Sequence, residues 1–201
     1  MKVLGIYGSP RKKGNTDLIL DRVLEGARSE GAETEAVYCR KLDMRGCIEC
    51  GGCDETGECV IDDDMRTVYP LMQDADIIFM ASPIFFYDVT SQAKAVIDRS
   101  QAMWNRRMLR KTPEQRKTYD SGAGYLIAIG ATKGKRLFEA PELVAKYFFD
   151  ALDMNYKGGL LVRSGEHKGS VTEEPGLMDK AFEFGQKAVA DNRAAKETKA
   201  E

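Results

Sequence analysis

Two spacings of apolar residues alternate along this chain. Val3 to Tyr7, Glu33 to Tyr38, Ile77 to Ala81, Tyr125 to Ile129 and Tyr156 to Val162 are short β-favouring runs, most of them bounded by Gly, Pro or Asp, and they predict five strands. Between them the period becomes helical: Leu20, Val23, Leu24 and Ala27; Ile61, Met65, Val68 and Met72; Leu143, Tyr147 and Ala151; Leu177, Ala181, Phe184 and Ala188. Thr90 predicts an N-cap for a further helix through Ala93, Val96 and Ile97, and Pro141 stands where a first helical turn tolerates it. Strands that are nearly continuously apolar and alternate with helices imply a parallel sheet covered on both faces, an α/β doubly wound sandwich.

Five strands at this length suit the order 2-1-3-4-5 of a flavodoxin-like three-layer α/β/α sandwich, whose ligand sits outside the carboxyl ends of the strands at the switch point. Function is therefore expected in the loops after the first, third and fourth strands. The chain has 201 residues, one domain's worth at roughly 100–200 residues per domain. Residues 1–193 read as one domain with a cysteine-rich loop at 46–60, and the low-complexity stretch 194–201 as a frayed tail.

Apolar residues make up 43% and charged residues 31%, enough for a core. With 30 Lys plus Arg against 32 Asp plus Glu, the net charge of -2 argues against nucleic-acid binding through a domain-wide positive field. No apolar run approaches the roughly 20 residues of a membrane span, and Met1 to Tyr7 is too short for a secretory signal. A cytoplasmic protein is expected. Four of the five cysteines fall between Cys47 and Cys59, which suits metal chemistry in a reducing compartment better than a disulfide framework.

Gly8-Ser9-Pro10-Arg11-Lys12-Lys13-Gly14-Asn15-Thr16 joins the first strand to the first helix. Ser9, Asn15 and Thr16 supply side-chain donors, Arg11 a charged fork, and the helix start free N–H groups, so an anion is expected there. Asn15 stands where an NTPase loop needs Lys, and neither G-x-G-x-x-G nor an acid after the second strand is present for a dinucleotide. After the third strand, Ser82-Pro83 forces an extended exit whose backbone N–H groups at Ile84, Phe85 and Phe86, with their apolar side chains, suit a flat ring with polar edges. The small-residue loop Gly130 to Gly134, with Ala131 and Thr132, is placed to line the ring's other end.

Cys47-x2-Cys50-x2-Cys53-x5-Cys59 is the strongest signal in the chain. Thiolates at intervals of three with a fourth nearby can wrap one compact cluster, and Gly46, Gly51, Gly52 and Gly57 let the backbone turn tightly. A [4Fe-4S] cluster is the first choice; zinc and metal-free thiols stay open. Cys39 reads as a small buried apolar residue, and His167, the one histidine, as a solvated loop residue. The polar stretch Asn105 to Asp120, with six Lys and Arg against Glu114 and Asp120, reads as a solvated face or as a patch attracting an acidic electron-transfer partner, a nicotinamide phosphate or a neighbouring subunit.

The loop at Gly8 to Thr16, Ser82-Pro83-Ile84-Phe85-Phe86 and Asp98-Arg99 resemble the NAD(P)H-dependent FMN reductase family, and with the cysteines its iron-sulfur flavoprotein branch, over most of residues 1–165. The resemblance implies FMN, its phosphate on Ser9, Arg11, Gly14, Asn15 and Thr16 and its ring on Pro83, Ile84, Phe85 and Phe86. Cys47, Cys50, Cys53 and Cys59 would hold the cluster. It further implies a flavin-dependent oxidoreductase or electron carrier, supplied by a donor such as NAD(P)H or a ferredoxin-like protein, in homodimers or tetramers. No acid/base triad is evident. Two alternatives stand beside this: a cluster-free NAD(P)H-dependent FMN or quinone reductase, and a zinc-stapled interaction module without flavin.

Overall fold

Five parallel strands form one sheet in the order β2-β1-β3-β4-β5: β1 is Lys2–Tyr7, β2 Glu33–Tyr38, β3 Ile77–Pro83, β4 Ala123–Gly130 and β5 Asn155–Arg163. The computed structural model describes residues 1–120, 122–163 and 167–200. This is the flavodoxin-like sandwich and strand order that the apolar pattern predicts. The helices are α1 (Asn15–Ser29), α2 (Met65–Asp74), α3 (Ser91–Arg99), α4 (Gln101–Arg110), α5 (Glu139–Ala151) and α6 (Leu177–Ala200).

Both faces of the sheet are buried, which is why its central strands carry no polar alternation. Val3, Tyr7, Phe79 and Tyr125 meet Leu20 and Val23 of α1 and Ala181 and Val189 of α6. On the other face Leu4, Ile6, Ile78 and Met80 meet Met65 and Val68 of α2, Ala93 and Val96 of α3, Met103 of α4, and Phe148 and Phe149 of α5. Helices α1 and α6 approach at two glycines. A Cβ on Gly26 would stand 2.0 Å from the Phe182 carbonyl oxygen, and one on Gly185 would stand 1.9 Å from that of Val23.

Several helical expectations need correction. Ile61 precedes α2, which begins at Met65. Along α5, Leu143 and Tyr147 are 56% and 63% exposed; Pro141, Ala145, Phe148 and Phe149 form the buried side. The second half of helix α4 falls in what read as a solvated basic stretch, and much of that charge is internally paired. Arg107 bonds Asp150 and Asp153, Lys111 pairs with Asp120 and Asp153, and Arg106 pairs with Glu58. Helix α6 continues through Ala200, into the expected tail; Glu201 lies outside the described residues. Thr90 does cap α3, its Oγ1 accepting from the Ala93 N–H at 3.2 Å.

Asp76 ties the amino ends of the sheet to α6. Its carboxylate accepts from the Lys2 N–H at 2.7 Å and pairs with Lys196, and its carbonyl accepts from Ala123 N–H and Asn192 Nδ2 at 3.0 and 3.1 Å. Burial pushes this carboxyl up, but Lys196 and the Lys2 N–H outweigh it and hold the net value below the ordinary carboxylate range. A depressed folded-state value stabilises the fold above the unfolded value and loses that contribution as pH falls through the folded one. Asp76→Asn is therefore expected to cost about 1 kcal/mol at pH 7. In urea titrations the gap to the wild type should stay constant above about pH 4 and close in more acid solution.

Candidate functional site

The carboxyl ends of β1, β3 and β4 open on a cavity of about 330 Å³, a volume in the range of small-molecule sites. Ser9, Pro10, Arg11, Gly14, Asn15 and Thr16 line one side, Pro83, Ile84 and Phe85 another, and Ile129, Gly130 and Ala131 the third. The parallel register carries Tyr7 beside Ala81, so that the loops after β1 and β3 leave the sheet together. Gly8 N–H donates to the Ala81 carbonyl at 2.7 Å, and Thr90 Oγ1 donates to the Gly8 carbonyl at 2.5 Å, fixing the first loop to α3. Only glycine fits at position 8, because a Cβ would lie 2.7 Å from Ala81 O and 2.8 Å from Ala93 Cβ.

Within the first loop Ser9 Oγ accepts from the Arg11 N–H at 3.2 Å, and Gly14 N–H donates to Arg11 O at 3.2 Å. Gly14 is the N-cap of α1 in extended conformation. Among the described residues, the backbone N–H groups of Thr16 and Asp17 have no acceptor, so they and the helix dipole present an anion site. The exposed Arg11 guanidinium is likewise uncommitted among those residues.

Two features depart from the sequence reading. Asn15 lines the cavity, but its carboxamide is engaged elsewhere: Nδ2 donates to His167 O and Ser170 Oγ at 3.0 and 2.9 Å, and Oδ1 accepts from the Gly169 N–H at 2.7 Å. It staples the 167–170 loop to the start of α1. Arg40, which the sequence marked only as the absence of an acid, donates to Ser9 O at 3.2 Å and pairs with Asp17 at 3.0 Å. Burial pushes the Asp17 carboxyl above its ordinary value despite the Lys13 N–H and Arg40. Twenty-three positions separate Arg40 from Asp17, and no local pattern signals the pair. Since Asp17 takes up the charge of Arg40, a bound phosphate would rely on Arg11 and the helix start.

The exit from β3 also differs. The Ile84 N–H donates to Ile129 O and the Phe85 N–H to Asp88 O, both at 2.8 Å, so neither is available to a ligand; that of Phe86 has no acceptor among the described residues. Asp88 N–H returns a bond to Phe85 O at 3.0 Å, closing a tight turn in which Phe86 and Tyr87 have φ of +50° and +65°. Phe86 is fully exposed, and neither it nor Thr132 lines the cavity. Arg163 fastens the third loop, donating to Thr132 O at 2.8 Å and Gly134 O at 2.9 Å. His167 is exposed and 3.2 Å from Glu173, while Gly165 and Glu166 of its loop lie outside the described residues.

The cysteines surround a second cavity, of about 600 Å³, between the 47–61 loop and the α3–α4 corner. Cys47, Cys50, Cys53 and Cys59, all free thiols, line it with Arg99. They do not converge: among the described residues no three His, Cys, Asp or Glu side chains meet as one metal ion would require. Nitrogen donors reach three sulfurs. Glu49 N–H is 3.4 Å from Cys47 Sγ, Asn105 Nδ2 is 3.2 Å from Cys53 Sγ, and Arg99 Nη2 is 3.3 Å from Cys59 Sγ. Gly57, with φ +68°, lies so close to α4 that a Cβ would be 2.5 Å from Arg106 Cα. Burial raises the Cys53 thiol above its ordinary value, against the Asn105 hydrogen bond. Cys39 is buried apart from these, its thiol pushed up to about 12 by burial. Asp63 is also pushed up by burial, but the Arg99 hydrogen bonds win and its net value is lowered.

Residues 1–136 match the family described as NADPH-dependent FMN reductase, and the chain belongs to that family. It is a flavin-dependent oxidoreductase of flavodoxin-like fold. Over 179 residues it is 30% identical to an iron-sulfur flavoprotein of Methanosarcina thermophila, a match covering 89% of this chain and 86% of the relative. Over 103 residues it is 41% identical to an iron-sulfur flavoprotein of Methanocaldococcus jannaschii, spanning 51% of this chain and about half (53%) of that relative. A solved flavone reductase superimposes with a TM-score of 0.70 at 18% identity, covering 98% of this chain and 64% of that one. No helix among the described residues is long and apolar enough to cross a membrane.

Proposed function

We propose that this protein passes electrons from NAD(P)H to a flavin or quinone acceptor through FMN held at the carboxyl edge of its sheet. The observation that carries this reading is the cavity itself. It joins an anion-binding helix start and an uncommitted Arg11 to an apolar wall of Pro83, Ile84 and Phe85, a donor set that fits a phosphate ester at one end and an aromatic ring at the other. FMN, when bound, supplies a hydride acceptor that can release electrons singly. The chain's part is to bind and orient it: the α1 start and Arg11 hold the phosphate, Arg40 and Asp17 keep the loop in shape, and Arg163 fixes the loop beside Ala131. Family membership leaves the zinc-stapled module without flavin unsupported.

A second reading, in which electrons leave through a [4Fe-4S] cluster on Cys47, Cys50, Cys53 and Cys59, is favoured by the four thiols round one cavity and the donors on three of their sulfurs. The relatives named iron-sulfur flavoproteins support it. A ferredoxin-like protein is then an alternative donor, and a reducing cytoplasm suits the free thiols. We also propose assembly into homodimers or tetramers, supported by the exposed Phe85, Phe86 and Tyr87 beside the flavin cavity.

Anaerobic purification, a visible spectrum and counts of FMN, iron, sulfide and zinc test both readings. The first expects a yellow protein with stoichiometric FMN that NADH or NADPH bleaches. A chain that refuses added FMN overturns it, and iron with matching sulfide promotes the second.

A further inference from the structure

The basic stretch Asn105 to Asp120 takes no part in the flavin cavity, yet much of it frames a groove of its own. A cavity of about 380 Å³ opens where α4 and α5 end, and Met103, Arg106, Arg107, Arg110, Lys111 and Leu152 are on its walls. A second cavity, of about 340 Å³, shares Gln73, Met103 and Arg106 with the first and adds Arg66. Each volume lies in the range of small-molecule sites. Gln73 is near the end of α2, which leads into β3; Arg110 ends α4 ahead of β4; Leu152 follows α5 ahead of β5. The groove therefore lies at the amino edge of the sheet, and the seven residues of β3 set it roughly 20 Å from the carboxyl edge, where the flavin cavity opens.

Five cations line the two cavities against Glu58, Asp120 and Asp153. Two of the five are committed: Arg107 bonds Asp150 and Asp153, and Lys111, its side chain 8% exposed, pairs with Asp153 at 2.7 Å. The others are not. Glu58 and Asp62, the partners of Arg106 and Arg66, are 71% and 82% exposed, and pairs to such carboxylates are worth little, so an incoming anion exchanges with them at small cost. Arg110 is exposed, and neither it nor the Gln73 carboxamide makes a hydrogen bond or ion pair among the described residues. These donors stand round an apolar floor of Met103 and Leu152, both buried. Guanidinium forks meet phosphate oxygens two at a time, and such a floor suits the organic remainder of a phosphate ester.

We propose that this groove binds a phosphate ester of nucleotide size, its phosphate held by Arg106 and Arg110 and its organic part against Met103 and Leu152. Two cavities of this size suit a small molecule better than the face of an acidic protein. The binding is independent of FMN, and no bond is made or broken in it.

The test is calorimetric titration of the full chain with ADP in phosphate-free buffer at low salt, with the first loop taken out of play in two ways: by saturation with FMN, and by Arg11→Gln. One saturable site per chain is expected in both. Arg110→Gln alters an exposed and unpaired side chain, so it spares the fold, and it should weaken ADP about tenfold. Gln73→Glu sets an acid against the phosphate and should weaken ADP as well. Lys117→Gln removes the same charge from the same stretch but outside the groove, and should change nothing. Absence of saturable uptake, or an affinity indifferent to Arg110→Gln, overturns the proposal. An equal loss in Lys117→Gln also overturns it, since that result means a diffuse field rather than a site. A chain that refuses FMN but binds ADP in the Arg11→Gln background keeps the groove and removes the flavin reading, so the two fail separately.

Discussion

Riboflavin, which has the isoalloxazine ring but no phosphate ester, will bind this chain at least ~100-fold more weakly than FMN. The free N–H groups of Thr16 and Asp17 and the Arg11 guanidinium meet an anion at the helix start, and a hydrogen bond to a charged group is worth about 1.5–3 kcal/mol. Two such bonds give about 3 kcal/mol or more, and each 1.4 kcal/mol is a factor of about ten. Arg11→Gln should recover only the guanidinium's share, weakening FMN about tenfold while leaving riboflavin unchanged. Quenching of flavin fluorescence on titration with apoprotein reads both constants. Equal affinities for the two flavins would mean that the ring alone is recognised and that the first loop is an ordinary turn.

Replacing Arg107 by Met will destabilise the fold by about 3 kcal/mol, the lower end of the usual cost of removing one partner from a largely buried ion pair. The Arg107 side chain is 4% exposed. Its Nε donates to Asp153 at 2.8 Å, Nη1 to Asp150 at 2.9 Å and Nη2 to Arg116 O at 2.7 Å, and the fork lies over the Tyr119 ring at 5.1 Å. One side chain thereby joins α4, the end of α5, the turn into β5 and the segment that follows α4. Urea titration at pH 7 measures the loss. A change below about 1 kcal/mol would mark the network as solvated, since exposed pairs are worth no more than that.

The three central strands, β1, β3 and β4, were legible because each is a short apolar run buried on both sides, and burial alone writes that pattern. Helix α4 was not. The buried residues of Gln101–Arg110 are Ala102, Met103 and Arg107, and an arginine that is buried because two aspartates wait for it looks, in sequence, like one in water. Helix α5 misled in the opposite sense: Leu143 and Tyr147 have helical spacing but are exposed, while adjacent Phe148 and Phe149 supply the core contact. The first loop was legible as an anion site from its composition. Its wiring was not, because Asn15 is held by residues more than 150 positions away and Arg40 by an aspartate on another element. The cysteine spacing drew attention to one loop, yet spacing says nothing of Arg99, which lines the same cavity because α3 ends beside that loop.

The Phe85–Asp88 turn places two aromatic residues in left-handed backbone, a conformation that costs bulky side chains of order 1–3 kcal/mol each. Asn or Gly at position 86 would relieve part of that penalty, and the native phenyl, lying fully in solvent, contributes no packing in exchange. Random libraries screened for heat resistance alone should accordingly drift away from phenylalanine here, whereas screens that demand turnover should retain it.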